Sequence, residues 1–154
     1  MSVKEMRRRR MSSFVMNEAW RLKHSSALYE LTFSTSLRLA WLVIRGKLIS
    51  HYSKVVGVTF EARQKLLRKL ISYSKTQIVI KLQRQPNNRF DASAIAVVAK
   101  VKERGECLIG YINSRLASTL APAMDAGSQI IVNRFDVTGG GDKLYGCNIS
   151  YIIA

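Results

Sequence analysis

Residues 83–95, Gln83-Arg84-Gln85-Pro86-Asn87-Asn88-Arg89-Phe90-Asp91-Ala92-Ser93-Ala94-Ile95, constrain this chain more than any other stretch, because an apolar run of strand length stands on each side. Ile78, Val79, Ile80 and Leu82 come before it, and Ile95, Ala96, Val97, Val98 and Ala99 follow. Apolar and β-branched residues at this density predict strands over 77–82 and 94–99. Pro86 disfavours helical backbone at Gln85, and Asn87 and Asn88 tolerate left-handed geometry, so the chain can reverse between the strands. The loop then presents Phe90 without apolar neighbours, Asp91 in a chain short of acids, and the guanidinium groups of Arg84 and Arg89. A ring, a carboxylate and two cations on one loop fit a nucleotide site.

The charge balance points the same way. Lys and Arg number 25 against 10 Asp and Glu, a formal charge of +15. Such an excess favours polyanions, nucleic acid first and an anionic membrane surface second. It is spread along the chain, with ten basic and three acidic residues in 1–50 and fifteen and seven in 51–154. The apolar run from Leu39 to Ile44 is far short of the ~20 residues that span a bilayer, so no membrane association through a spanning helix is expected. Cys107 and Cys147 are too few for a disulfide framework or a cysteine-type zinc site. They read as reduced core thiols of a cytoplasmic protein.

At 154 residues the chain fits one domain with an added segment. Residues 1–11, with Arg7, Arg8, Arg9 and Arg10, read as a disordered basic tail that adds salt-sensitive attraction to phosphates; an organellar presequence is the alternative. Over 12–50 the pattern is helical. Val15, Ala19 and Leu22, then Leu37, Ala40, Trp41 and Ile44, recur at three- and four-residue spacing. Thr32, Ser34 or Thr35 can cap the second helix and Gly46 can end it. Two such helices must pack on each other, on the body of the protein or on a partner, with Trp20 and Trp41 as packing residues. Residues 48–53 read as a connection.

From 54 onward the chain reads as mainly β, in an α+β arrangement. Strands are expected over 54–60, 77–82, 94–99, 106–112, 129–137 and 143–153. A basic amphipathic helix over 61–73 buries Leu66, Leu67, Leu70 and Ile71 and presents Arg63, Lys65, Arg68 and Lys69. A second helix over 115–124 follows a cap at Asn113 or Ser114. Gly139, Gly140 and Gly141 fit a hairpin turn rather than a phosphate-binding loop, because no Lys-Ser/Thr pair and no helix follow. Six short strands with two helices can close into a small barrel that removes exposed edges.

Three segments carry a family resemblance: Val55-Val56-Gly57-Val58-Thr59-Phe60; Leu82 through the loop to Val97; and Ile109-Gly110-Tyr111-Ile112-Asn113-Ser114-Arg115-Leu116-Ala117-Ser118-Thr119-Leu120. In order and spacing, residues 54–153 closely resemble the HIRAN domain. That family occurs at the front of Swi/Snf-type fork-remodelling ATPases and as separate small bacterial and phage proteins. The resemblance implies a small six-stranded OB-like β-barrel with two helices, here preceded by a helical N-terminal segment. It also implies binding of single-stranded DNA with recognition of the 3′ end, as in DNA repair or replication. The segments Asn17-Glu18-Ala19-Trp20 and Ser36-Leu37-Arg38-Leu39-Ala40-Trp41 resemble a helical segment of small phage and mobile-element proteins.

On this resemblance, Phe60 and Phe90 match the stacking aromatics, and each base stacked on such a ring contributes ~1–3 kcal/mol. Asp91 matches the acid at the terminal sugar, where a carboxylate accepts a hydrogen bond from a 3′-hydroxyl but repels an internal phosphate. Arg84, Arg89 and Lys81 are candidates for backbone phosphates, Asn87 and Asn88 for a terminal base or phosphate, and Tyr111 for a ring near the DNA. The residues alone also allow Phe90 as a barrel plug, Phe60 as core and Asp91 as an Asx-turn cap. An RNA ligand stays open. Two other classes compete: an adaptor docking a partner enzyme through residues 12–50, and a metal-dependent nuclease. The acids show no ligand spacing, and His24 and His51 are isolated surface residues, so the expectation is a non-enzyme without metal or cofactor.

Overall fold

The protein is described by a computed structural model over residues 2–25, 32–45 and 49–153. Two helices, α1 (Val3–Ser25) and α2 (Phe33–Ile44), precede strand β1 (His51–Val56) and helix α3 (Glu61–Ile71). A short 3-10 turn, Lys75–Gln77, leads into β2 (Ile78–Arg84), β3 (Ile95–Val101) and β4 (Gly105–Ile112). Helix α4 (Ser114–Asp125) and strands β5 (Ile130–Gly140) and β6 (Lys143–Ile153) complete the chain.

All pairings are antiparallel, and the sheet order is β2-β3-β4-β1-β6-β5. The sheet curls until its two edges, β2 and β5, approach each other without joining in a ladder, which makes a half-barrel. Alternation along the strands sends Ile80, Val97, Ile109, Val132 and Ile149 into the concave side, each at most 1% exposed. Leu67 and Leu70 of α3 and Ala117, Leu120 and Ala121 of α4 pack into the same core. Leu67 has no exposed surface, so truncating it to Ala costs ~2–5 kcal/mol.

Three expectations change, the simplest being that Ile71 of α3 is 55% exposed and not buried. The first strand begins at His51 rather than Lys54 and ends at Val56 rather than Phe60. His51, Tyr52 and Ser53 pair with Tyr151, Ser150 and Ile149 of β6, which their mixed polarity concealed. Gly57, at φ +73°, then turns the chain, so that Phe60 becomes the N-cap of α3. The basic N-terminal run is likewise helical: Ser2 and Glu5 form a reciprocal cap, Ser2 N donating to Glu5 Oε2 at 2.8 Å and Glu5 N to Ser2 Oγ at 3.2 Å. Arg7, Arg8 and Arg9 therefore stand on α1 and not in a structureless tail.

The N-terminal helices pack on each other and on the convex face of the sheet. Val15 and Ala19 of α1 and Ala40 of α2 are buried against Ile131 of β5 and Ile152 of β6. Trp41 packs at the margin of this cluster, and Trp20 meets Phe33 at 4.8 Å between ring centroids. Thr32 caps α2 by accepting from Thr35 N at 3.2 Å. Gly46 lies outside the described residues, as do the side chains of Leu22, His24 and Arg10. The hairpin between β5 and β6 turns through Gly141 and Asp142, and its last pair is Gly140 with Lys143.

Candidate nucleic-acid interface

At one end of the sheet, β1 and β4 come unusually close. A Cβ on Gly110 would sit 2.4 Å from the Val56 carbonyl oxygen and 2.7 Å from Val55 Cγ1, so only glycine admits this approach. A register shift next to Gly110, between Val97 and Val98 of β3, kinks β4 at the same level. The pair Val56–Tyr111 follows, with both side chains on the convex face. Gln64 holds the start of α3 against this end: its amide donates to Val58 O at 2.7 Å and to Tyr145 O at 2.8 Å, and its Oε1 accepts from Tyr145 N at 2.8 Å.

The loop between β2 and β3 is built by its own polar side chains. Asn88 Oδ1 accepts from Phe90 N at 2.9 Å and Asp91 N at 3.2 Å, while Asn88 Nδ2 donates to Gln85 Oε1 at 3.0 Å. Asp91 Oδ1 accepts from Ser93 N at 2.8 Å, an Asx turn. Arg84 clamps the base of the loop from below: Nη1 donates to the carbonyls of Ala92 (3.1 Å) and Ala94 (3.0 Å). Its Nε and Nη2 pair with Asp125 at 3.0 and 3.1 Å. That hydrogen bond is the main reason the Asp125 carboxyl is held below its ordinary value.

This scaffold forms a cleft of about 540 Å³ that gathers Phe60, Asn88, Arg89, Phe90, Asp91 and Tyr111. Phe90 is 94% exposed and Phe60 63% exposed, so neither plugs the barrel nor belongs to its core. Arg63 completes the cleft, with its guanidinium carbon 4.8 Å from the Phe60 ring centroid and 5.5 Å from that of Tyr111. Its Nη1 also donates to Gly57 O. The sequence placed Arg63 on the basic face of α3 with Lys65, Arg68 and Lys69, either solvated or touching phosphates, and did not join it to the aromatic site. The usable signal was the three-residue spacing from Phe60, which stacks two side chains at a helix start.

Three expected contacts lie elsewhere. Arg84 is committed to Asp125 and the loop carbonyls, and Lys81 forms an ion pair with Glu106. Asn87 is exposed but outside the cleft. His51 stacks on Tyr151 at 5.4 Å. Cys147 is buried, which pushes its thiol up to about 12, and partial burial raises that of Cys107. Among the described residues, no group of three or more His, Cys, Asp or Glu could hold a metal, and no helix is long and apolar enough to cross a membrane.

An antiparallel half-barrel carrying exposed rings and cations over the ends of two strands defines a small β-type binding domain. The family model of the HIRAN domain matches residues 48–144, and the chain belongs to that family. Comparison with curated proteins finds no match. Among solved structures the chain is similar to the HIRAN domain of human HLTF, at 25% identity over 68% of this chain and 74% of that one, with a TM-score of 0.42. A protein from Lactobacillus plantarum shares 20% identity over 69% of this chain and 95% of that one, with a TM-score of 0.47.

Proposed function

We propose that this HIRAN-family protein is a non-catalytic binder of single-stranded DNA that holds the 3′-hydroxyl end in the cleft between Phe60 and the 83–95 loop. The observation that carries this reading is the pair of exposed rings, Phe60 and Phe90, in one cleft with two guanidinium groups. Exposed aromatics cost apolar hydration in the free protein, and a stacked base covers them without regard to sequence. Arg63 and Arg89 stand where backbone phosphates adjoin stacked bases, and they replace Arg84 and Lys81 in that role.

Asp91 supplies the end preference. One carboxylate oxygen serves the Asx turn, and the other remains to accept from a terminal hydroxyl; an internal or terminal phosphate there meets a like charge. Asn88 acts by shaping the loop. Val15 and Ala19 of α1 and Ala40 of α2 are used against β5 and β6, which supports a helical segment integral to the domain over one reserved for docking an enzyme.

The test is fluorescence anisotropy at fixed salt with one short oligonucleotide ending in a 3′-hydroxyl or a 3′-phosphate. Tighter binding of the hydroxyl form supports end recognition. Equal, salt-sensitive affinities would reduce the cleft to a general polyanion site, and no binding to either would remove the reading.

A further inference from the structure

A second groove, of about 580 Å³, lies beside α1 on the convex face, lined by Arg7, Met11 and Phe14 of α1, Tyr52 of β1 and Arg134 of β5. Phe14 and Tyr52 are 66% and 72% exposed. The helix is fixed in place by Asn133, which is 3% exposed and donates from Nδ2 to Glu18 Oε1 at 3.1 Å and to Ser50 Oγ at 3.3 Å. A register shift in β5 between Val132 and Arg134 leaves Asn133 without a cross-strand partner. The groove is therefore a built feature of the joint between helix and sheet.

Strand β1 connects this groove to the aromatic cleft. Tyr52, Lys54 and Val56 are exposed, alternating with buried Ser53 and Val55, so the three share the outward face. Val56 lines the cleft and Tyr52 lines the groove, which leaves Lys54 between the two. Four steps along the strand lead from Tyr52 to Val56, roughly 13 Å at ~3.3 Å per step. That is the length of about four stacked nucleotides at ~3.4 Å each.

We infer that a strand whose 3′ end occupies the cleft continues along β1 into this groove, stacking on Tyr52 and Phe14 and setting phosphates against Lys54 and Arg7. The inference rests on the single-strand reading above. Two carboxylates adjoin the track: Glu18, hydrogen-bonded to Asn133, and Asp136, paired with Lys75 and Arg134. Asp136 is neutralised by its two cations; the Asn133 amide is neutral and leaves the Glu18 charge in place, outnumbered on the track by Lys54 and Arg7. In this arrangement α1 is part of the binding surface, and the domain grips the body of the strand as well as its end.

Two oligonucleotides with the same 3′-hydroxyl end, about 3 and about 10 nucleotides long, titrated by anisotropy at several salt concentrations, test this. The longer one is expected to bind more than about tenfold tighter. Its affinity should fall more steeply with salt, by a slope of ~1.4 for two added phosphate contacts at ~0.7 each. Tyr52→Ala with Phe14→Ala should weaken the longer strand by about thirtyfold or more and leave the shorter unchanged. Lys54→Gln with Arg7→Gln should remove that slope difference of ~1.4. Equal affinities and slopes for both lengths, with Phe90→Ala still weakening binding, would overturn the track and leave the cleft intact. Binding of neither length would overturn the cleft and the track together. Equal weakening of both lengths by the Tyr52 and Phe14 substitutions would overturn the track in favour of a structural role for those rings.

Discussion

Arg84 and Asp125 meet as a bidentate pair, Nε to Oδ1 at 3.0 Å and Nη2 to Oδ2 at 3.1 Å, joining the start of the 83–95 loop to the last turn of α4. The same guanidinium holds the Ala92 and Ala94 carbonyls, so one side chain sets the height of Phe90 and Asp91 over the sheet. Arg84→Gln should lower the melting temperature and weaken DNA binding, whereas Lys81→Gln, across from Glu106, should leave binding nearly unchanged. Parallel thermal melts and anisotropy titrations distinguish the two.

The same pair carries a pH dependence. Asp125 is held below its ordinary value of 3.8, chiefly by the hydrogen bond from Arg84. A depressed carboxyl contributes stability that is complete above the unfolded value and is lost as pH falls through the lower folded value. The wild-type melting temperature should therefore drop as pH falls below about 4. Asp125→Asn should flatten part of that drop; an unchanged acid limb would show that the ion pair forms no part of the folded state's advantage.

Phe90 separates binding from stability. At 94% exposure it contributes almost nothing to the fold, and Phe90→Ala should change stability by no more than ~0.5 kcal/mol. Binding should weaken by ~1–3 kcal/mol for every strand regardless of its end. A large loss of melting temperature would instead assign the ring to loop packing.

Asp91 has two separable duties, which two substitutions divide. Asp91→Asn keeps an oxygen to accept from Ser93 N but removes the charge, so the preference for a 3′-hydroxyl over a 3′-phosphate should vanish with the melting temperature unchanged. Asp91→Ala should lose both the preference and some loop order. Retention of the preference in Asp91→Asn would show that the carboxylate does not read the end.

Arg63 should show its role in the salt dependence. Removing one phosphate contact by Arg63→Gln is expected to lower the slope of log affinity against log salt by ~0.7 and to weaken all strands alike. A weakened affinity with an unchanged slope would leave Arg63 as a brace for Phe60 and the Gly57 carbonyl.

Cys147 offers a check on the core. Burial pushes its thiol up to about 12, so at pH 8 it should resist alkylation in the folded protein and react only after unfolding. Mass-spectrometric counting of modified thiols gives the answer.

Most elements were legible because their causes are local. The β-branched runs flanking the loop, the Asn113 cap of α4 and the Gly141-Asp142 hairpin each depend on a few adjacent residues. The first strand was displaced because His51, Tyr52 and Ser53 carry no apolar alternation, and their place is fixed by β6, about a hundred residues later. The part of α1 before residue 12 was missed although its signal was local, the Ser2–Glu5 capping box preceding the arginine run.

By itself the sequence determined that this chain has a ring, a carboxylate and cations on a loop between two strands, and that its charge suits a polyanion. Only the tertiary structure decided which cations face the cleft. A guanidinium or ammonium group goes to the acid the fold brings within reach, and the fold delivers Asp125 to Arg84 and Glu106 to Lys81. It gives the Arg63 guanidinium the Phe60 and Tyr111 rings, with one donor on the Gly57 carbonyl, which leaves its charge on the cleft. Charge is a property of composition, but its availability depends on partners distant in sequence, and no local pattern specifies those.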